Sequence, residues 1–320
     1  MKKIHVGFLL SYDYEKLKLS IPPVYNSADK IFIAEDSNKK TWSGNEFVVD
    51  DSFYEWLKEF DVDNKIEFYR DNFYVPELTA IENDTRERHL LSLKMGIGNW
   101  LIQIDSDEYF IDFKGFVSNL RKYDHYLDEP EKKKVQFACF WLIIYKYTKE
   151  GTLFVDKPMK SVFATNYPNY KCARRTNERT IYFDNLVLHE SIARTEEQLV
   201  CKLKNWGHNH EVNENFLNKW LMVNETNYHQ LEDFYYINPK RWKKLNYLPT
   251  KRFEDIKMNV NLKSNLQISK QYLMCKNFGQ WFKFLWKNKD IRLELYFRTH
   301  FFDKLNYRIT QFYMSDQKEI

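Results

Sequence analysis

Four short apolar runs in the first third of the chain each end in a polar or acidic cluster. Ile4–Leu10 ends in Ser11, Tyr12 and Asp13. Residues 30–34 end in Glu35, Asp36, Ser37 and Asn38. Residues 65–69 end in Arg70, Asp71 and Asn72. Residues 100–104 end in Asp105, Ser106, Asp107 and Glu108. Short apolar runs separated by helical patterns predict an α/β chain with a mostly parallel sheet covered by helices on both faces. Such sheets bind ligands beyond the carboxyl ends of their strands, and here all four ends are polar.

Residues 77–95 carry the clearest helical pattern: Leu78, Ile81, Thr85, Arg88, Leu91 and Met95 fall on one stripe. Arg88 interrupts that stripe, so its guanidinium must snorkel out or meet an anion. Val135–Tyr147 reads as a central buried strand and residues 181–188 as another, with irregular chain between them. From Asn215 the pattern turns helical, with breaks at Asn238-Pro239 and Leu248-Pro249. The expected organisation is a catalytic-sized α/β domain over 1–212, divisible at 125/126, followed by a basic, aromatic helical extension over 213–320.

Charge supports that division. Residues 213–320 hold 19 Lys and Arg against 11 Asp and Glu, a net of +8, whereas residues 1–212 carry a net of −4 within a chain whose total is +4. Near the end, Phe278, Trp281, Phe282 and Leu285 share a helical face, with Lys283, Lys287 and Lys289 off it. That stripe suits either packing on a neighbouring helix or peripheral contact with an anionic membrane. The four cysteines are scattered without a C-x-x-C pair, which argues against a zinc knuckle. Lys2 and Lys3 precede a short apolar run that meets Asp13 and Glu15 at once, a first strand rather than a signal peptide. No stretch of about 18 apolar residues is present. A cytoplasmic protein, with peripheral attachment to the inner face of the plasma membrane as an option, is the expectation.

The most informative element is Asp105-Ser106-Asp107, directly after an apolar strand. Two carboxylates one residue apart can reach one hard cation from a tight turn, and oxygen ligands of this kind suit Mg²⁺ or Mn²⁺. Alone, a D-x-D is weak, because acidic pairs often only cap the next helix. Its position at the end of a buried strand, on an edge shared with three other acidic ends, strengthens it.

The stretch from Trp100 to Glu108, WLIQIDSDE, resembles the strand-plus-D-x-D signature of GT-A glycosyltransferases, in particular the inverting family 2-like group. The resemblance covers roughly the first 210 residues and implies a nucleotide-binding half over 1–125 and an acceptor half over 126–212. Glu35 and Asp36 resemble the acidic pair that holds nucleotide base and ribose, with Tyr12 as a stacking face. Arg86 and Arg88 lie near the position of the family's Ala-Arg-Asn motif, although His89 stands where Asn is usual. The 184–190 segment, DNLVLHE, resembles the family's V-H-E stretch, and residues 205–208, NWGH, the segment after it. The resemblance implies a divalent metal held directly by Asp107, with Asp105 on ribose or metal-bound water and His189 or His208 as a further ligand. Each histidine reads equally well as a core residue bonded to backbone. Glu190 leads as the catalytic base and Asp184 follows. The implied donor is a nucleotide-diphosphate sugar and the implied acceptor a glycan or a lipid-linked acceptor, with bacterial cell-surface polysaccharide synthesis as the setting.

Two other classes rank lower. A nucleotidyltransferase would use a similar sheet but calls for a glycine-rich loop after the first strand, where Ser11-Tyr12-Asp13-Tyr14 has no glycine. A nucleic-acid-binding protein would explain the basic aromatic C-terminal third, but no recognised nucleic-acid-binding signature accompanies it, so no nucleic acid is expected.

Overall fold

In the computed structural model the described residues are 2–262, 266 and 268–287. Ten strands form one sheet: β1 (Ile4–Leu10), β2 (Lys30–Asp36), β3 (Ile66–Asp71), β4 (Trp100–Ile104), β5 (Glu108–Phe110), β6 (Val135–Tyr147), β7 (Thr152–Val155), β8 (Met159–Thr165), β9 (Arg179–His189) and β10 (Leu245–Leu248). The helices are α1 (Leu17–Ser20), α2 (Pro22–Tyr25), α3 (Asp51–Phe60), α4 (Ala80–Met95), α5 (Phe113–Arg121), α6 (Glu196–Asn205), α7 (Phe216–Met222), α8 (Phe253–Leu262) and α9 (Lys270–Lys287).

The sheet runs β10-β7-β6-β8-β4-β1-β2-β3, with β9 paired to β6 and β5. The β4-β1-β2-β3 half is parallel, so the chain ends of these strands share one edge. The other half is mixed. β8 runs antiparallel to β4 and β6, and β9 runs parallel to β6. The fold class is therefore α/β as expected, with a sheet that is parallel on one side only.

All residues of β1 and β4 are buried, as a strand covered on both faces requires. α4 lies so close on β1 that a Cβ on Gly7 would meet Leu91 Cδ2 at 2.8 Å and Met95 Sδ at 2.9 Å. That close approach, open only to glycine here, brings the middle of α4 over the ends of β1 and β4. The helix begins at Ala80 rather than residue 77, because Thr79 and Glu82 form a capping box there. Its buried face differs from the expected stripe: besides Arg88, Leu91 and Met95 it carries Asn83, Asp84, Glu87 and Ser92.

Three differences concern the second half. β7 and β8 occupy the stretch expected to be irregular, and their short length and interspersed polar residues hid them. β10 lies within the expected helical extension and pairs antiparallel with β7. Phe216, Trp220, Phe234, Tyr236, Trp242 and Leu245 pack with Ile143, Tyr145 and Leu153 in one buried cluster. These aromatic residues thus face inward, and one compact unit runs Met1–Asn277. The second unit begins at Phe278. In it Phe278, Trp281 and Phe282 are exposed and contact one another. The side chains of Lys283, Leu285 and Lys287, and Lys289 altogether, lie outside the described residues. No helix among the described residues is long and apolar enough to cross a membrane.

Candidate functional site

The turn after β4 and the end of β9 meet. Glu108 pairs with His189 across the β5–β9 ladder, and the Glu190 N–H donates to the Asp107 carbonyl at 2.9 Å. His189 Nε2 lies 3.5 Å from Asp107 Oδ1. Two segments separated by some eighty residues of sequence are thereby brought to one point beside the ends of the parallel strands.

Asp107 is the hub. Its Oδ2 accepts from Arg194 Nη2 at 2.7 Å and from Lys202 Nζ at 2.6 Å. Arg194 comes from the β9–α6 connection and also donates to Asp13 at 2.9 Å, tying the end of β1 to the cluster. Lys202 reaches in from α6, whose start is fixed by a capping box of Thr195 and Gln198. Burial alone would raise the Asp107 carboxyl, but Lys202, His189 and Arg194 outweigh it and hold it well below the usual carboxylate range. Burial pushes the Lys202 ammonium down, with Asp107 opposing that shift and Arg194 reinforcing it.

Asp105 sits in a second ionic group. It accepts from Arg88 Nη2 at 2.7 Å, and Arg88 Nε donates to Asp84 at 2.5 Å. The arginine that interrupts the α4 stripe meets two anions, as its position required. Burial would raise the Asp105 carboxyl, yet Arg88 and Arg174 hold it below its ordinary range. Arg174 forks onto both oxygens of the fully buried Glu108, which also accepts from Trp141 Nε1 at 2.8 Å. His189 packs on Trp141 with ring centroids 4.5 Å apart.

Glu190 is gripped by three groups: the Tyr109 hydroxyl at 2.7 Å, the Tyr147 hydroxyl and the Lys16 ammonium. Both phenols are pushed up, chiefly by burial and then by the Glu190 charge, so they remain donors to that carboxylate.

The remaining expected residues are placed differently. Tyr12 is half-buried at the end of β1; burial, then Asp13, push its phenol well up, and Arg194 opposes them. Asp36 accepts from the backbone N–H groups of Asn38, Lys40, Phe73 and Tyr74, so its carboxylate fastens two loops. Glu35 is fully buried and paired with Arg70, Lys39 and Tyr54. Arg86 donates to the carbonyls of Asn72 and Phe73. These three bind their own chain at the strand edge. His208 pairs with Glu211 on a loop after α6. Asp184 is exposed in mid-strand, five residues before His189, which is about 16 Å along an extended strand.

The metal shell expected from Asp105, Asp107, His189 and His208 is not assembled. Among the described residues no three His, Cys, Asp or Glu side chains converge to hold an ion. Asp105 is turned toward Arg88, and Asp107 carries two cationic side chains on one oxygen. A divalent ion on Asp107 would lie against both fixed positive charges, an arrangement that repels it. The residues present therefore do not fit the implied metal.

Arg194, Lys202, Arg174, Lys16 and Asp13 were not singled out from the sequence. They sit in stretches without regular periodicity, and their roles arise from long-range pairing. The one available signal was Arg194 five residues after His189, within the segment that closes on the D-x-D turn.

No protein-family profile and no curated protein sequence matches the chain. Among solved structures it is similar to residues 1–349 of S. aureus TarS, with TM-score 0.27 and 12% identity over 45% of this chain and 36% of that one. A second S. aureus TarS structure gives TM-score 0.27 and 10% identity over 72% and 45%. Mannose-6-phosphate isomerase from Helicobacter pylori gives 0.28 and 15% over 49% and 56%. The chain thus matches about a third to just over half of each of those structures. Scores at this level set no family, and it is the strand-end chemistry that points to a function.

Proposed function

We propose that the protein is a glycosyltransferase that moves a sugar from a nucleotide diphosphate to a hydroxyl acceptor with inversion. The observation that carries the reading is the convergence of the β4 turn and the β9 end, which places Asp107, His189 and Glu190 together at the edge where parallel strands present ligand sites. The resemblance of WLIQIDSDE to the GT-A signature supports the same edge.

In this reading Glu190 is the base. The acceptor oxygen bonds to the anomeric carbon from the face opposite the diphosphate, and its proton passes to the Glu190 carboxylate. The bond from the anomeric carbon to the diphosphate oxygen breaks, and its electron pair leaves on the diphosphate. Tyr109, Tyr147 and Lys16 keep Glu190 in one orientation, so little reorganisation accompanies the proton transfer. Fixed positive groups beside the leaving oxygens stabilise the charge that develops there. We assign a glycan or a lipid-linked acceptor, the class the resemblance implies, and the exposed Phe278, Trp281 and Phe282 suit peripheral membrane contact. Incubation with UDP-, GDP- and dTDP-sugars, with release of nucleoside diphosphate as the readout, tests the reading. One donor class should turn over above a Glu190→Gln control; equal release by both proteins for every donor would end it.

A further inference from the structure

We infer that Arg194 and Lys202 do at this site what a divalent ion would do: they bind the leaving diphosphate directly, with Asp107 holding them in place. The inference rests on the glycosyl-transfer reading and replaces the metal that the resemblance implies.

Three observations carry it. First, both cationic nitrogens lie on a single oxygen of a carboxylate that is 3% exposed, so two like charges are held side by side at the strand edge. Like charges are kept that close where an anion rewards it. Second, hydrogen-bonding capacity is left over. An ammonium carries three donors and a guanidinium five. Among the described residues the Lys202 ammonium bonds only Asp107, while Arg194 uses Nε and Nη2 toward Ser191, Asp13 and Asp107, leaving Nη1. Third, two buried nitrogens next to the cluster, Arg88 Nη1 and His189 Nδ1, have no partner among the described residues. Buried polar atoms without partners are uncommon in folded proteins, and a bound anion at this edge would complete the bonding of these two.

The chemistry is balanced without a metal. As the anomeric bond breaks, its electron pair adds one negative charge to the diphosphate. Arg194 can donate to phosphate oxygen through its free Nη1, and Lys202 supplies a point charge from α6. Asp107 is then a positioning residue: it touches the cations and not the sugar. Lys202 is the better residue to test, since its side chain lies at the margin of the cluster, 12% exposed, whereas that of Arg194 is 1% exposed.

Calorimetric titration decides it. UDP, GDP, CDP, dTDP and ADP are each titrated into the full chain in EDTA, and again in Mn²⁺. The inference expects one nucleoside diphosphate to bind in EDTA within about threefold of its affinity in Mn²⁺. Lys202→Met should weaken that binding by tenfold or more while leaving the matching nucleoside unaffected, and Lys202→Arg should restore it. A circular dichroism spectrum and melting curve of each variant establish that it is folded. Binding that needs Mn²⁺ and survives Lys202→Met overturns the inference but leaves the glycosyltransferase reading standing. Absence of binding by every nucleoside diphosphate in both buffers overturns both.

Discussion

The backbone N–H of Glu190 donates to the carbonyl of Asp107 at 2.9 Å, and this bond, with the β5–β9 ladder beside it, joins the end of β9 to the turn that follows β4. Everything assigned to the site depends on that junction. It sets His189 beside the Asp107 carboxylate, and the connection to α6, which carries Arg194, starts from it.

Glu190 gives the first prediction. Glu190→Gln preserves the size of the side chain and an acceptor oxygen for one of Tyr109 and Tyr147, which donate to different carboxylate oxygens, but removes the base. General-base removal costs about 10²–10⁴ in rate. Transfer should fall by that factor with nucleotide affinity nearly unchanged, as measured by steady-state kinetics beside calorimetry. A loss below tenfold would assign the base elsewhere.

The Glu108–Arg174 pair is the structural keystone under the site. Glu108 is fully buried, and its oxygens accept from Arg174, Trp141 and the Asp105 N–H. Arg174→Met leaves that carboxylate without its counter-charge, a change that costs about 3–5 kcal/mol. Urea unfolding should show it as a lowered midpoint at unchanged slope. A shift under about 1 kcal/mol would mean that the pair does not hold the turn.

A third prediction concerns pH. Burial, with the nearby Asp84 adding, raises the Glu87 carboxyl to about 8 against the opposing bond from Trp42 Nε1. In the unfolded chain the same group ionises near 4.5. The folded value is the higher one, so the protonated native group contributes stability fully below about pH 4.5. That contribution is lost as pH rises toward 8. Melting temperature should therefore fall between pH 5 and 8 in the wild type. Glu87→Gln, which keeps an acceptor for Trp42, should flatten the fall and be the more stable protein at pH 8. Parallel pH profiles for the two proteins would contradict this.

How much of this was legible in the sequence varies with the kind of information involved. β1, β4 and β6 match the expected residues to the position, because predominantly apolar runs bounded by polar clusters specify buried strands. The approach of His189 and Glu190 to Asp107 was also readable from motif and position. The charge pairing was not. A D-x-D looks the same whether its carboxylates face an ion, as expected, or face Arg88, Arg194 and Lys202, as found. The burial of Asp107 also bears on stability, because removing its carboxylate would strand two cations. Asp107→Ala should therefore destabilise by about 3–5 kcal/mol, read by chemical denaturation. The aromatic residues after 213 misled for a related reason: composition gives charge and apolarity, whereas β10 is set by pairing with β7, a partner ninety residues away.

Hydrogen–deuterium exchange with and without a nucleotide sugar tests the central claim most directly, because it reports where a donor sits without requiring the acceptor. With the UDP-, GDP- or dTDP-sugar that the protein turns over, amide exchange should slow in peptides covering Asp105–Glu108 and in those covering 189–202. Protection confined to other segments, or none with any donor, would contradict a sugar-nucleotide site built on Asp107.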